Sequence, residues 1–235
     1  MYTFKLKQGD HETGEFRLSH NRLMRTSRLV RHQPKVVSIM PGLVQDRLEV
    51  TRFIEHHYAR QYGARMRVEY PDLISVRNKS GDLLAAAGFR FAASGSLFLE
   101  RYTGQPIDRL LNMPRTEIVE IGNLASLGGT SVFLFAALAS YLESLGVTQA
   151  VITGTRTLEH RLSRLGLAPR RLCPARIECV NGDDTDWGSY YTTRPYLLTG
   201  SIELACRQLR GLFGEHFFVS RPRLFPRLYF HNGVA

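Results

Sequence analysis

The run Glu120-Ile-Gly-Asn-Leu-Ala-Ser-Leu-Gly-Gly-Thr-Ser131 concentrates residues able to do chemistry. A carboxylate near a strand end, then a glycine-containing loop and a helix start, pairs a candidate base with an anion-binding element. Loop N–H groups and the positive end of the helix dipole favour an anion or a polarised carbonyl. On this reading the N–H groups of Leu124, Ala125 and Ser126 polarise the carbonyl, while Gly128, Gly129 and Thr130 allow close approach. The bland alternative is a tight turn before a core helix. Glu120 is the first candidate base or amine ligand, since burial would raise its pKa toward a useful range. It can equally pair with Arg90 on a neighbouring strand, and Asn123 sits beside it as a substrate or structural contact.

Further candidates lie elsewhere in the chain. Glu100 is a second acid, unless it merely pairs with Arg101 or another surface base. Tyr190 and Tyr191 offer a phenol as general acid, with Tyr191 preferred; on a strand at most one of them points inward. Phe89 and Phe91, with Phe98, Phe133 and Phe135, suit an apolar tunnel or an ordinary core. Cys173 and Cys179 lack a histidine at metal-ligand spacing, so no metal site is expected and the thiols read as reduced. The eight histidines form no nucleophile–histidine–acid arrangement.

These residues need elements to position them. Leu43, Val50, Ile54 and Tyr58 recur at helical spacing, and Gly63 closes that helix. Leu73 to Arg77 and Leu83 to Ala92 read as hairpin strands around the turn Asn78-Lys-Ser-Gly-Asp82. Leu97 to Arg101 reads as a strand, and Pro106 opens a short helix. Thr116 to Gly122 is a strand, and Thr130 to Leu145 is a helix apolar almost all round, hence buried. Val147 to Thr153 is a strand, with a helix from Thr155 or Arg156 to Gly166. Leu172 to Val180 and Trp187 to Thr192 read as strands, and Ser201 caps a helix to Leu212. A hairpin followed by a βαβα run argues for an α/β fold with a locally parallel pair. Residues 1–38 read as a basic, poorly packed arm with a short helix near His20 to Val30. Residues 39–200 form the core and 201–235 a C-terminal helix and basic tail.

Hairpin first and βα unit second is the order of the GNAT acyltransferase core. The chain resembles the thermostable haemolysin family in Tyr62-Gly-Ala, Leu97-Phe-Leu-Glu-Arg-Tyr102, Val119-Glu-Ile-Gly-Asn-Leu-Ala125, Thr153-Gly-Thr155, Leu165-Gly-Leu167 and Trp187-Gly-Ser-Tyr-Tyr191. More distantly it is similar to the acyl-homoserine-lactone synthases, through Arg90 and the Glu120 segment. Asn123 stands where their motif has arginine, and the segment by which they bind S-adenosylmethionine has no counterpart between Gly63 and Asp82. The resemblance implies a GNAT-like (acyl-CoA N-acyltransferase) mixed central sheet flanked by helices. It also implies an acyl-CoA or acyl-acyl carrier protein donor and a small amine or alcohol acceptor.

Composition bounds the rest. With 43% hydrophobic and 22% charged residues the chain is globular. A net charge of +10 suits an acidic partner such as acyl carrier protein, without the motifs of a specific nucleic-acid binder. The longest apolar run, Val132 to Ala139, is too short to span a bilayer, and Met1 to Asp10 lacks a signal-peptide core. A cytoplasmic protein is therefore expected, with peripheral membrane contact and a homodimer left open. A membrane-active toxin is the competing class.

Overall fold

Apolar and small residues on either side of the Asn78–Asp82 turn, Leu73 to Val76 and Leu83 to Phe89, make a hairpin, and the rest of the sheet is assembled around it. The computed structural model describes residues 2–8, 11–18, 34–41, 46–180, 185–213 and 218–219. In chain order the elements are β1 (Tyr2–Gln8), β2 (His11–Leu18), β3 (Pro34–Pro41), α1 (Arg47–Tyr62), β4 (Asp72–Asn78) and β5 (Leu83–Phe91). Then come α2 (Glu100–Thr103), α3 (Ile107–Leu111), β6 (Ile118–Ser126), α4 (Ser131–Ser144) and β7 (Gln149–Gly154). The chain continues through α5 (Arg156–Arg164), β8 (Arg170–Pro174), β9 (Tyr196–Ser201), α6 (Ile202–Phe213) and β10 (Phe218–Val219).

The ten strands form one mixed sheet in the order β10-β2-β1-β3-β4-β5-β6-β7-β9-β8. Its central strands follow from local signals. Gly63 takes φ +67° and ends α1, and Thr155 caps α5 by accepting from the Leu158 N–H. Ser201 caps α6 through the Leu204 N–H at 3.2 Å. Helix α4 buries eleven of its residues, so it forms the centre of one layer. With α5 and α6 it covers one sheet face, where Phe89, Val119, Ile121, Phe133 and Ile152 pack. Phe133 is fully buried, and Phe133→Ala would cost about 3–5 kcal/mol. The other face carries α1, through Val50, Ile54 and Tyr58. Beside it a second cluster forms around Leu99, Ile107, Val151 and Leu197.

Two features of β6 position the site. It pairs antiparallel with β5, Gly88 opposite Gly122 and Ala86 opposite Ala125. Two steps on β5 therefore match three on β6, a β-bulge at Asn123, whose φ is +52°. On its other side β6 pairs in parallel with β7 only from Ile118 to Ile121 against Gln149 to Ile152. Both strands run on beyond that point, so they part like an opening V.

Several expectations need correction. Leu124, Ala125 and Ser126 continue β6 instead of forming a loop, because the bulge lets pairing with Ala85 and Ala86 resume. Leu97 to Arg101 is a turn leading into α2, and Leu172 to Val180 holds only the short strand β8 and a 3₁₀ turn at Ile177–Cys179. Trp187 to Thr192 is a loop ending in a 3₁₀ turn at Tyr190–Thr193. The stretch read as an unpacked arm contributes β1 and β2 at its described positions, and β3 pairs with β4. The helix placed near His20 to Val30 and most of the C-terminal tail lie outside the described residues.

Candidate active site

Glu120 leaves the sheet on the α1 side and is 1% exposed. Its oxygens are fully engaged. The Tyr70 hydroxyl donates to Oε1 at 3.0 Å, the Leu99 N–H to Oε1 at 3.2 Å, and the Phe98 N–H to Oε2 at 3.0 Å. Burial raises its pKa, and the Phe98 and Tyr70 hydrogen bonds and the nearby Arg90 charge oppose that without cancelling it. Burial and the adjacent Glu120 carboxylate push the Tyr70 phenol well above its ordinary value, so it stays a donor.

Tyr70 was missed by sequence reasoning, yet the sequence holds its imprint. Gly88 and Gly122 lie side by side on β5 and β6 and form a bare patch beneath its ring. A Cβ on Gly88 would sit 2.5 Å from the Tyr70 Cβ and Cγ, and one on Gly122 would sit 2.0 Å from its hydroxyl oxygen. Neither glycine has a positive φ, so close approach is what requires them. From α1, Arg47 donates to the Tyr70 and Pro71 carbonyls and fixes the backbone there.

A cavity of about 920 Å³ opens over this arrangement, bounded by the sheet and the segments 65–70, 96–106 and 185–191. Tyr70, Gly122 and Asn123 line it, and so does Thr153 from β7, so it reaches the parting of β6 and β7. Glu120 does not line it, and its route to the cavity is the Tyr70 hydroxyl. Arg90, opposite Glu120 in register, donates to the Glu69 and Ser96 carbonyls at 3.1 and 3.5 Å. Its guanidinium carbon stands 5.7 Å from the centre of the Tyr70 ring. The expected ion pair with Glu120 is thus replaced by a phenol contact and long-range attraction.

Glu100 also borders the cavity, but its carboxylate is occupied. It accepts from the Leu97 and Ile107 N–H groups, each at 2.8 Å, and from Arg115 at 2.6 Å. Burial favours its neutral form, yet the Arg115 and backbone hydrogen bonds outweigh burial and hold the carboxyl below its ordinary range. Its partner is therefore Arg115 rather than Arg101. Tyr191 meets Tyr102, their hydroxyls 2.6 Å apart. Because the 187–191 segment is not a strand, Tyr190 and Tyr191 both face the cavity; Tyr190 donates to the Thr153 carbonyl at 3.3 Å. Gly188 makes this loop fit. It has φ +51°, and a Cβ there would lie 2.2 Å from the Tyr62 carbonyl oxygen capping α1.

The other predicted residues fall elsewhere. Phe89, Phe91 and Phe133 belong to the α4-side core, set there by strand parity and the packing of α4, and of the predicted phenylalanines only Phe98 lines this cavity. None of Leu124 to Thr130 lines it. Ala125 is buried against α1, and the Thr130 hydroxyl lies 2.7 Å from the Leu84 and Leu127 carbonyls. Gly128 and Gly129, with φ +53° and +87°, form the exposed turn before α4. Among the described residues no three His, Cys, Asp or Glu side chains converge as a metal would require.

The fold has solved relatives. The AHL synthase LasI is 15% identical with a TM-score of 0.52, covering 75% of this chain and 94% of its own. BjaI, a CoA-dependent acyl-homoserine lactone synthase solved with SAM and isopentyl-CoA, is 12% identical with a TM-score of 0.52 over 76% and 89%. TofI in an apo form is 13% identical with a TM-score of 0.51 over 74% and 95%. These likenesses establish the GNAT-like mixed sheet flanked by helices. No curated protein matches the sequence. A family model described as thermostable hemolysin matches residues 42–206, well over half of the chain, and the chain belongs to the thermostable hemolysin family.

Proposed function

We propose that this protein is an acyltransferase that moves a fatty acyl group from a thioester, on coenzyme A or acyl carrier protein, to a small amine or alcohol. The observation that carries this reading is the V between β6 and β7, opening into a cavity beside the Tyr70–Glu120 pair. Where β7 leaves β6, one edge of β6 has backbone groups without a strand partner. An extended thioester can lie along that edge, its carbonyl oxygen held by the freed N–H groups. BjaI shares the fold, and its structure with isopentyl-CoA is consistent with a thioester donor.

The chemistry follows from the hydrogen bonds. The acceptor's nitrogen or oxygen attacks the thioester carbon, and the C–S bond breaks as the tetrahedral adduct collapses. The nucleophile's proton passes to the Tyr70 oxygen as the Tyr70 proton passes to Glu120, and the leaving thiolate is finally protonated. Glu120 serves as the buried base and Tyr70 as its contact with the cavity. Tyr191, joined to Tyr102, is the candidate acid for the leaving group, and Glu100 is assigned to holding the 97–107 turn. Gly128 and Gly129, at the start of α4, remain the proposed seat for the donor's phosphates.

Lipids of cells overproducing the chain, compared with a Glu120→Gln variant by mass spectrometry, test this. An acylated small molecule present with the wild type and missing with the variant is the expected result; identical profiles reject it. The family's name favours a second reading, direct membrane lysis. No helix among the described residues is long and apolar enough to cross a membrane. Purified protein that releases dye from vesicles without any acyl donor would favour the toxin.

A further inference from the structure

The charge lining the cavity is lopsided. Arg65, Arg67, Arg90 and Arg101 face Glu69 and Glu100, and the Glu100 carboxylate is already paired with Arg115. Arg65 and Arg67 are exposed while Ala64 and Met66 alternate into the core, so an extended segment presents both cations to the cavity. Arg90 is the deepest in consequence. Its hydrogen bonds run to two backbone carbonyls, which fix the guanidinium but do not neutralise it. A guanidinium has five N–H donors, so the fork keeps donors for a carboxylate. The same cavity has an aromatic wall: Trp187 packs against Phe98, Tyr190 and Tyr191. The indole N–H of Trp187 is buried and finds no acceptor among the described residues, while the residue itself lines the cavity.

We infer that the cavity binds an amino acid as acyl acceptor, its carboxylate on Arg90 and its apolar side chain against the aromatic wall around Trp187. The word acceptor rests on the acyltransferase reading; recognition of the carboxylate does not. In an α-amino acid the carboxyl carbon and the amine nitrogen are two bonds apart. A carboxylate on Arg90, beside the Tyr70 ring, therefore delivers the amine toward the Tyr70 hydroxyl. An amine lacking the carboxylate would leave Arg90 facing an apolar group, at the desolvation cost of an unpaired cation. An alcohol without charge would do the same.

Trp187 is the chain's single tryptophan, so its fluorescence reports cavity occupancy directly. The test titrates N-dodecanoyl-phenylalanine and its decarboxylated counterpart, N-dodecanoyl-phenethylamine, with no donor present. The carboxylate compound is expected to bind about ten- to a hundredfold more tightly, as a charge-assisted hydrogen bond would give. Arg90→Met should erase the difference. Arg67→Met, on the exposed rim, should reduce it about two- to fivefold, and this serves if the Arg90 variant fails to fold. Phosphopantetheine separates the alternative source of an anion: its affinity should be indifferent to Arg90→Met. Equal binding of the two amides overturns the inference, as does an Arg90 variant that loses phosphopantetheine and keeps the carboxylate preference. Acyl transfer to phenethylamine as fast as to phenylalanine overturns it while leaving the acyltransferase standing. Carboxylate-selective binding without transfer to either overturns the acyltransferase and leaves the anion site.

Discussion

Gly122→Ala is a sharp test of the site, because it adds one methyl group to a backbone that tolerates it. The new Cβ would lie 2.0 Å from the Tyr70 hydroxyl oxygen, 2.5 Å from Cζ and 2.8 Å from Cε2. All three distances are below van der Waals contact, so the ring must swing away from the sheet. Swinging breaks the 3.0 Å bond to Glu120 and leaves a buried carboxylate with two donors instead of three. A hydrogen bond to a charged group is worth about 1.5–3 kcal/mol, and overpacking adds about 1–3 kcal/mol. The variant should therefore lose about 2.5–6 kcal/mol, measured as a shift of the denaturant midpoint at constant slope. Tyr70→Phe alone should lose about 1.5–3 kcal/mol. In a Tyr70→Ala background the same glycine substitution should cost under about 1 kcal/mol, because its steric partner is gone. An equal cost in both backgrounds would refute the account of why glycine stands there.

Other outcomes follow from the same geometry. Glu120→Gln should lower turnover about 10²- to 10⁴-fold, and its amide N–H₂ would oppose the Phe98 N–H at a stability cost of about 1–3 kcal/mol, read by stopped transfer assays and denaturation. Because the folded pKa of Glu120 is raised and the base must be deprotonated, kcat/KM should climb with pH through a midpoint above the ordinary glutamate value of about 4.3. The same raised pKa makes the Glu120 contribution to stability complete below the unfolded pKa and lost as pH rises through the folded one; Glu120→Gln should remove that dependence. Glu100 runs oppositely: its depressed pKa gives stability present above about 4.3 and lost as pH falls through the folded value, so Glu100→Gln should flatten acid unfolding. If acyl carrier protein is the donor, moderate salt should raise its KM and leave that of a short neutral thioester unchanged, since the chain carries +10.

What the sequence disclosed, and what it hid, divides along the range of the interactions. The βα unit was legible because its signals are local: Gly63 in a left-handed cap, the apolar run of α4, Thr155 and Ser201 as caps. Glu120 stood out as an acid among apolar strand residues. Tyr70 did not, because it lies in an extended segment without period and its partner is fifty positions away. The glycines at 88 and 122 were visible as residues but not as a pair, since only the β5–β6 register, set across more than thirty residues of chain, brings them side by side. Glu100 read as a chemical candidate because nothing local foretells that Leu97, Ile107 and Arg115 converge on it. The 187–191 segment, rich in aromatic residues, looked like a strand; docking on the end of α1 at Gly188 overrode that propensity.

The extra residue at Asn123 has a consequence for how this strand can change. Before it, even-numbered side chains point toward α1, as Glu120 does; after it the parity inverts, and Ala125 takes that side while Leu124 joins the α4 core. Asn123 is thus a phase slip that lets one strand obey two alternations. Straightening the bulge so that Asn123 took a place in the ladder would exchange inside and outside for everything downstream, thrusting Leu124 into the space that fits Ala125; deleting Asn123 would restore an unbroken alternation and leave both on their present faces. Substitutions within either half keep the frame, so the Glu120 pairing before the slip and the Gly128–Gly129 turn after it can diverge separately. What the strand cannot lose is the slip alone: the bulge can go only if its extra residue goes with it.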